Sequence, residues 1–431
     1  VTKMTEQGIT KSMKRSYLWN TVGAGLNAFY SPLFLMIVSR VLGIRDAGYF
    51  SLAFMTGMLL SNIGLFNVRS YQITDVFKSH ADSVYLNARI LTAGLMTVSV
   101  CAYACTKLAD KEMFFLILLL GLWRVPEVLS DVIHGTFQMN KRLDLAGKSL
   151  FIRACLCIAS FTFTIYISKN LIIACSLLVL MNILVFVFYD IRHYRKICPN
   201  HVVIVFNQEV KDLINSCFPL FLISLIYAFL MNAQRYTIDY FGTPEIQTLF
   251  SILVLPASMI WVVFVMMLSP ILPKLAELYF SDRHKEFNRQ IRNIVLITSG
   301  FSVVCLVLMY TVGIRAFEIV YKVPLMAYRK EFMIAGIGSG VLCVGTVFSY
   351  LLILIREKKV LLWAYICVVG LSVLIGIELV IRDGLYGAAL SYLITMVLLM
   401  LALTGTFAVV SRNRRLAKQE EDEAEQIDLQ K

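Results

Sequence analysis

Arg124, Glu127 and Asp131 stand at i, i+3 and i+7 in a stretch otherwise dominated by apolar residues, so a helix there carries all three along one face. Charges that deep in an apolar segment are costly unless they face protein or water, which leaves two readings: the polar wall of a cavity, or an internal ion pair that holds helices together. Pro126, between them, would loosen the helix as a hinge or a bend. Arg153 lies too deep in its own apolar segment to reach an interface easily. Arg89 sits near a segment end and could snorkel. Arg235 and Asp239 are spaced i, i+4, which suits an ion pair or substrate contact equally. A guanidinium offers two parallel hydrogen bonds to phosphate oxygens and keeps its charge when partly desolvated. Arg89, Arg124, Arg153 and Arg235 are therefore the candidates for a cationic path that receives an anionic headgroup, such as a lipid-borne diphosphate. Glu127, Asp131 and Asp239 are the candidate cavity acids, and Glu127 and Asp131 could couple an ion by taking up a proton or Na⁺.

Other chemistry has little to stand on. The sequence has no GxxxxGK[ST] loop, no GxSxG elbow and no HExxH, so neither ATP hydrolysis nor another catalytic activity is expected, and no cofactor is implied. Most of the ten cysteines fall in apolar stretches without CxxC or Cys/His spacing, so no metal site is expected. Energy would have to come from a partner or an electrochemical gradient.

The elements that must position these residues follow from composition. Of 431 residues, 58% are hydrophobic and 16% charged, which requires that lipid solvate most of the chain. Uncharged runs such as 171–189 and 386–410 are long enough to cross a hydrocarbon core roughly 30 Å thick at about 1.5 Å per residue. Spans are expected near 16–39, 47–67, 84–106, 112–136, 145–168, 170–189, 213–238, 247–270, 291–313, 332–355, 359–381 and 385–410. With twelve spans both termini share one side. If that side is cytoplasmic, the inner connections and tails hold 26 of the 40 basic residues and the outer connections 10; Arg89, Arg124, Arg153 and Arg235 are the four within spans. That asymmetry orients both termini to the cytoplasm. Much of the net charge of +12 is then an orientation and lipid-surface signal, so nucleic acid is not an expected partner. No cleaved signal peptide is expected, because the first apolar stretch is followed at once by another span.

The polar stretches 190–212, 273–292 and 411–431 are too short for an independent domain. The chain also echoes itself: Pro32-Leu33-Phe34-Leu35 recurs as Pro219-Leu220-Phe221-Leu222, preceded by Asn27 and Asn215 respectively, and Phe50-Ser51-Leu52 recurs as Phe250-Ser251-Ile252. Parallel repeats of this kind are used by transporters to build a cavity at a pseudo-twofold interface. The expected fold is an all-α polytopic membrane protein of about 12 transmembrane helices in two pseudo-symmetric six-helix bundles, 1–200 and 201–411, followed by a charged cytoplasmic tail, 412–431.

The run from Val38 to Ala53 (VSRVLGIRDAGYFSLA) and the run Ser130-Asp131-Val132-Ile133-His134-Gly135-Thr136-Phe137-Gln138, continuing through Arg142-Leu143-Asp144 to Gly147 and Ser149, resemble the corresponding helix connections of bacterial polysaccharide flippases, the Wzx-like branch of the MOP exporter superfamily. Arg235-Tyr236 and Asp239-Tyr240 are more loosely similar. The resemblance implies a transporter in the cytoplasmic membrane that moves a polyprenyl-diphosphate-linked oligosaccharide to the outer leaflet by alternating access, for surface polysaccharide synthesis. It also implies work alongside a polysaccharide polymerase and assembly proteins. A cation-coupled drug antiporter of the same superfamily is the nearest rival, against which the deep arginines weigh. A membrane-bound glycosyltransferase or polymerase is the rival of another class, and would be expected to carry a larger outer loop than 313–331.

Overall fold

The computed structural model describes residues 18–429 apart from 24, 28, 76–79, 199–206, 269, 270, 282 and 356, and excludes the side chains of 74, 284 and 414–429. The polar N-terminal tail, Lys78, Arg356 and most of the C-terminal charged side chains used in the orientation argument lie outside the described residues.

Lipid offers the backbone no hydrogen-bonding partner, so an apolar stretch that crosses it must satisfy its own amides as a helix. Eleven helices are long and apolar enough to cross: α1 (Leu18–Val41), α2 (Ile44–Leu65), α4 (Asp82–Cys105), α5 (Lys111–Met139), α6 (Leu143–Ser168), α7 (Leu171–Ile197), α8 (Gln208–Phe241), α9 (Pro244–Leu268), α11 (Lys285–Tyr321), α12 (Arg329–Leu354, within Leu325–Leu354) and the spanning part of α13 (Lys358–Asn413). The described residues also form two short helices, α3 (Val68–Thr74) and α10 (Leu272–Phe280). The described residues contain no strand. The helical run of α13 extends from Lys358 to Leu429 but breaks at Gly384, whose φ of 55° and ψ of −121° suit glycine. Two antiparallel spans therefore meet at that corner, which makes twelve among the described residues. The corner is tight: a Cβ on Gly387 would overlap the carbonyl of Leu379, and the charges there, Arg382 and Asp383, pair with each other at 3.0 Å.

Short connections are shaped by local chemistry. Asp110 caps α5 by accepting from the amides of Glu112 and Met113, and Asn170 caps α7 by accepting from that of Ile173. Phe66 and Asn67, both left-handed, turn the chain out of α2 so that α3 folds back. Prolines sit inside α5, α8 and α9 without ending them.

By internal contacts the chain forms two units, Val1–Ala228 with Thr243–Thr248, and Phe229–Gly242 with Leu249–Lys431. The division passes through α8. The first unit is cored by an aromatic layer of Tyr30, Phe34, Phe50, Phe54, Trp123 and Phe161, all buried. A second buried cluster joins Val84, Ala88, Ile133, Phe137, Leu213 and Phe221. In the second unit Gln234 donates to Thr395 and Ser372, Ser339 to the carbonyl of Ala257, and Trp261 to Thr346, so helix contacts there are tied by hydroxyls and amides. Large apolar side chains such as Phe163, Phe188 and Leu374 stand about two-thirds exposed, as lipid-facing residues do.

Candidate functional site

Polar chemistry in the first unit converges on α5. Around Asp131, Arg89 of α4 donates one guanidinium nitrogen to the carboxylate at 2.7 Å and another to the carbonyl of Gly64 at 2.7 Å. Arg69 of α3 donates to the other carboxylate oxygen at 3.1 Å and to Gln138 at 3.2 Å. One carboxylate thus holds two guanidinium groups. Arg89 is wholly buried, whereas the side chains of Asp131 and Arg69 keep 20% and 30% of their surface exposed, so this cluster opens on the Arg69 side. Gly135 makes the arrangement feasible, because a Cβ there would run into Gln72, which donates to Thr136 at 3.0 Å.

One residue round the helix, Ser130 begins a second cluster. Its hydroxyl donates to Asp190 at 2.6 Å, in an arrangement shared with the Pro126 carbonyl at 2.7 Å, and accepts from Arg153 at 2.6 Å. Arg153 of α6 also reaches Asp190 at 2.7 Å, and His134 Nε2 lies 3.4 Å from the second oxygen of the same carboxylate. Arg153 keeps 1% of its side-chain surface exposed, His134 3% and Asp190 none. Asp190 arrives there on a π-helical turn of α7, Phe186–Ile191. Wide turns of this kind recur at functional sites.

A third pair, Arg124 and Glu127, is bonded at 2.5 Å within α5. The Arg124 guanidinium lies over the rings of Trp123 and Phe54, 4.3 and 5.1 Å from their centroids. Glu127 Oε1 and Arg124 Nε are buried without a hydrogen bond, so the pair has capacity to spare.

In the second unit Arg235 is buried, donates to Asn232 at 2.8 Å and lies 5.8 Å from the centroid of Phe250. Its titratable neighbours are Tyr236 and Tyr392, and among the described residues no carboxylate forms an ion pair with it. The i, i+4 spacing to Asp239 is not used as an ion pair by Arg235.

The sequence-derived candidates are thus distributed. Arg124, Glu127 and Asp131 share a helix but serve two separate pairings, Arg89 joins Asp131 instead of snorkelling, and Arg153 joins a carboxylate absent from the candidate set. Asp190 was expected at the start of a polar connection; it lies instead inside a helix that continues to Ile197. Arg69 was counted with a connection; it belongs to α3 and returns to α5. Neither has a hydropathy signature, since Asp190 directly follows an apolar run and α3 is too short for periodicity to emerge. Ser130 and His134 were visible only within the motif that carries the family resemblance. Pro126 does not interrupt α5; Ser130 and, at the neighbouring carbonyl of Trp123, Asn182 supply side-chain hydrogen bonds around it.

No family model matches the sequence. The capsular polysaccharide biosynthesis protein CapF of Staphylococcus aureus is 24% identical over 405 residues, covering 88% of this chain and 98% of that protein. Among solved structures, the inward-facing conformation of a multidrug resistance MATE family transporter of the MOP superfamily superposes with a TM-score of 0.72 at 14% identity, covering 91% of this chain and 95% of that one. A MOP superfamily transporter from Pyrococcus furiosus, described as having a binding pocket of reverse polarity, gives 0.60 at 14% identity, covering 94% and 95%. The fold is the one seen in these MATE structures, and the apolar helices are those of a multi-pass membrane protein.

Proposed function

We propose that this chain, built on the MATE fold of the MOP superfamily, translocates a polyprenyl-diphosphate-linked oligosaccharide across the cytoplasmic membrane by alternating access, with both termini on the cytoplasmic side. The observation that carries this reading is the charge balance of the buried polar network. Among the described residues of the first unit, Arg69, Arg89, Arg124 and Arg153 pair with Glu127, Asp131 and Asp190, four guanidinium groups on three carboxylates. A cationic drug would need an acid free to receive it, whereas these three acids are already engaged by arginines. An anionic headgroup gains from the surplus: diphosphate oxygens can compete for Arg69, whose side chain keeps 30% of its surface exposed, and for Arg124, whose Nε has no hydrogen-bond partner. Arg89 and Arg153, buried with their carboxylates, set the potential around that path instead of touching the ligand first. The likeness to a capsular polysaccharide biosynthesis protein supports the same direction.

The test is genetic and chemical. Cells lacking the gene should accumulate diphosphate-linked oligosaccharide on the inner leaflet. Wild type should restore export, and Arg124→Ala and Arg69→Ala should restore it about tenfold less well, as the loss of one charge-assisted hydrogen bond implies. Absence of accumulation, together with altered resistance to cationic drugs, would replace this reading with a cation antiporter.

A further inference from the structure

If the translocation proposed above is driven by a proton gradient, some group in the protein must take up and release a proton during the cycle. Glu127 and Asp131 are the acids that position alone suggests. Each is held by a guanidinium, at 2.5 Å for Arg124 on Glu127 and 2.7 Å for Arg89 on Asp131, with Arg69 as a second cation on the latter. Each carboxylate thus already carries a cation, and a further one would meet the fixed positive charge of a guanidinium at the same group. Asp190 is in the same position, held by Arg153 at 2.7 Å and by the Ser130 hydroxyl at 2.6 Å. What remains in this buried network is an imidazole, the side chain whose ordinary titration falls between about pH 5 and 8.

We propose that His134, in its cluster with Ser130, Arg153 and Asp190, takes up the coupling proton. Because an ionised carboxylate only accepts, His134 Nε2 must carry the proton it shares with Asp190 across 3.4 Å, and Nδ1 is then the free base. With neutral His134, Arg153 and Asp190 cancel. One proton from water on Nδ1 makes the cluster a net cation, and its return to water restores neutrality; no other bond changes. The surrounding elements leave His134 the group free to respond. Beside it α6 presents Arg153 and α7 presents Asp190 with Tyr189, while the cations brought to α5 by α3 and α4, Arg69 and Arg89, are taken up by Asp131. His193 of α7 bonds the carbonyl of Tyr189 and stacks on its ring. Arg124 and Glu127, further along α5, neutralise each other. The wide turn at 186–191 that delivers Asp190 gives the acceptor a backbone able to adjust as the charge appears.

Two measurements on the full-length protein test this. The chain has five histidines, so ¹⁵N-histidine spectra of the purified protein are tractable, and His134→Gln assigns the signal. In wild type the His134 ring signals are expected to change reversibly with pH, as uptake of a proton on Nδ1 requires. In Asp190→Asn, where a charged imidazole loses its carboxylate partner, the change should move to lower pH; should that variant fail to fold, the wild-type spectra still decide. In proteoliposomes carrying a fluorescent polyprenyl-diphosphate N-acetylglucosamine, an imposed pH gradient should accelerate wild-type translocation several-fold. The ratio of rates with and without the gradient should drop to about one in His134→Gln and His134→Asn. A His134 signal that does not titrate between pH 4 and 9, or a His134→Gln protein that answers the gradient as wild type does, overturns the proposal. A probe that never moves while His134 titrates as stated removes the lipid-linked substrate and leaves the proton site supported.

Discussion

A carboxylate with no exposed surface that accepts from a guanidinium, a hydroxyl and an imidazole cannot be removed alone without leaving a buried cation behind. Asp190→Ala is expected to destabilise the protein by about 3–5 kcal/mol, the usual cost of breaking a buried pair from one side, and the double change Asp190→Leu with Arg153→Met should recover most of that. Thermal unfolding in detergent, compared across the single and double variants, measures both. Arg124→Lys should behave differently. It keeps the charge and the Glu127 partner but loses the flat stacking on Trp123, so translocation should fall by about tenfold with little loss of thermal stability. Legibility at this scale followed charge in context. Arg89, Arg124 and Arg153 stood out because each interrupts a segment that is otherwise apolar. Their partners did not: Asp190 looked like the first residue of a loop, and nothing in hydropathy signals that a wide turn carries α7 onward and its carboxylate inward. The pairing of Arg153 with Asp190, rather than with a neighbour on its own helix, joins residues 37 apart and depends on packing that periodicity does not encode.

Helices were the easy part to read, since a run of about 20 apolar residues has few alternatives in a membrane. Elements shorter than that were not: α3 appeared as a connection, although two left-handed residues, Phe66 and Asn67, and the missing side chain at Gly135 dock it against α5. Gly135→Leu is therefore expected to lift α3 away, freeing Arg69 from Asp131. Hydrogen exchange of residues 68–74 should rise markedly, while exchange in the middle of α5 should stay slow. Gly384→Val tests the corner of α13. A β-branched residue at that backbone conformation costs of order 1–3 kcal/mol, so the melting temperature should fall with the buried clusters of the first unit untouched.

For the whole molecule, the count of twelve spans and the internal echo between Pro32-Leu33-Phe34-Leu35 and Pro219-Leu220-Phe221-Leu222 were available from the sequence, whereas the packing of α8 was not. A helix of 34 residues looks like one unit to any hydropathy measure, yet its first part packs in the core of the first unit through Leu213, Cys217 and Phe221. The proposed orientation has a direct consequence in cells. In a background lacking the native cysteines, Lys169→Cys should react with a membrane-impermeant maleimide from outside, and Lys141→Cys only after permeabilisation; the reverse pattern would invert the topology. The tight corner at Gly384 also bears on how the protein is made. Between the last two spans there is no hydrophilic loop for the insertion machinery to carry across the bilayer, and the charges at the tip, Arg382 and Asp383, already neutralise each other. The two spans that flank Gly384 can therefore enter lipid together as a preassembled helical hairpin, without a separate signal to thread the second of them.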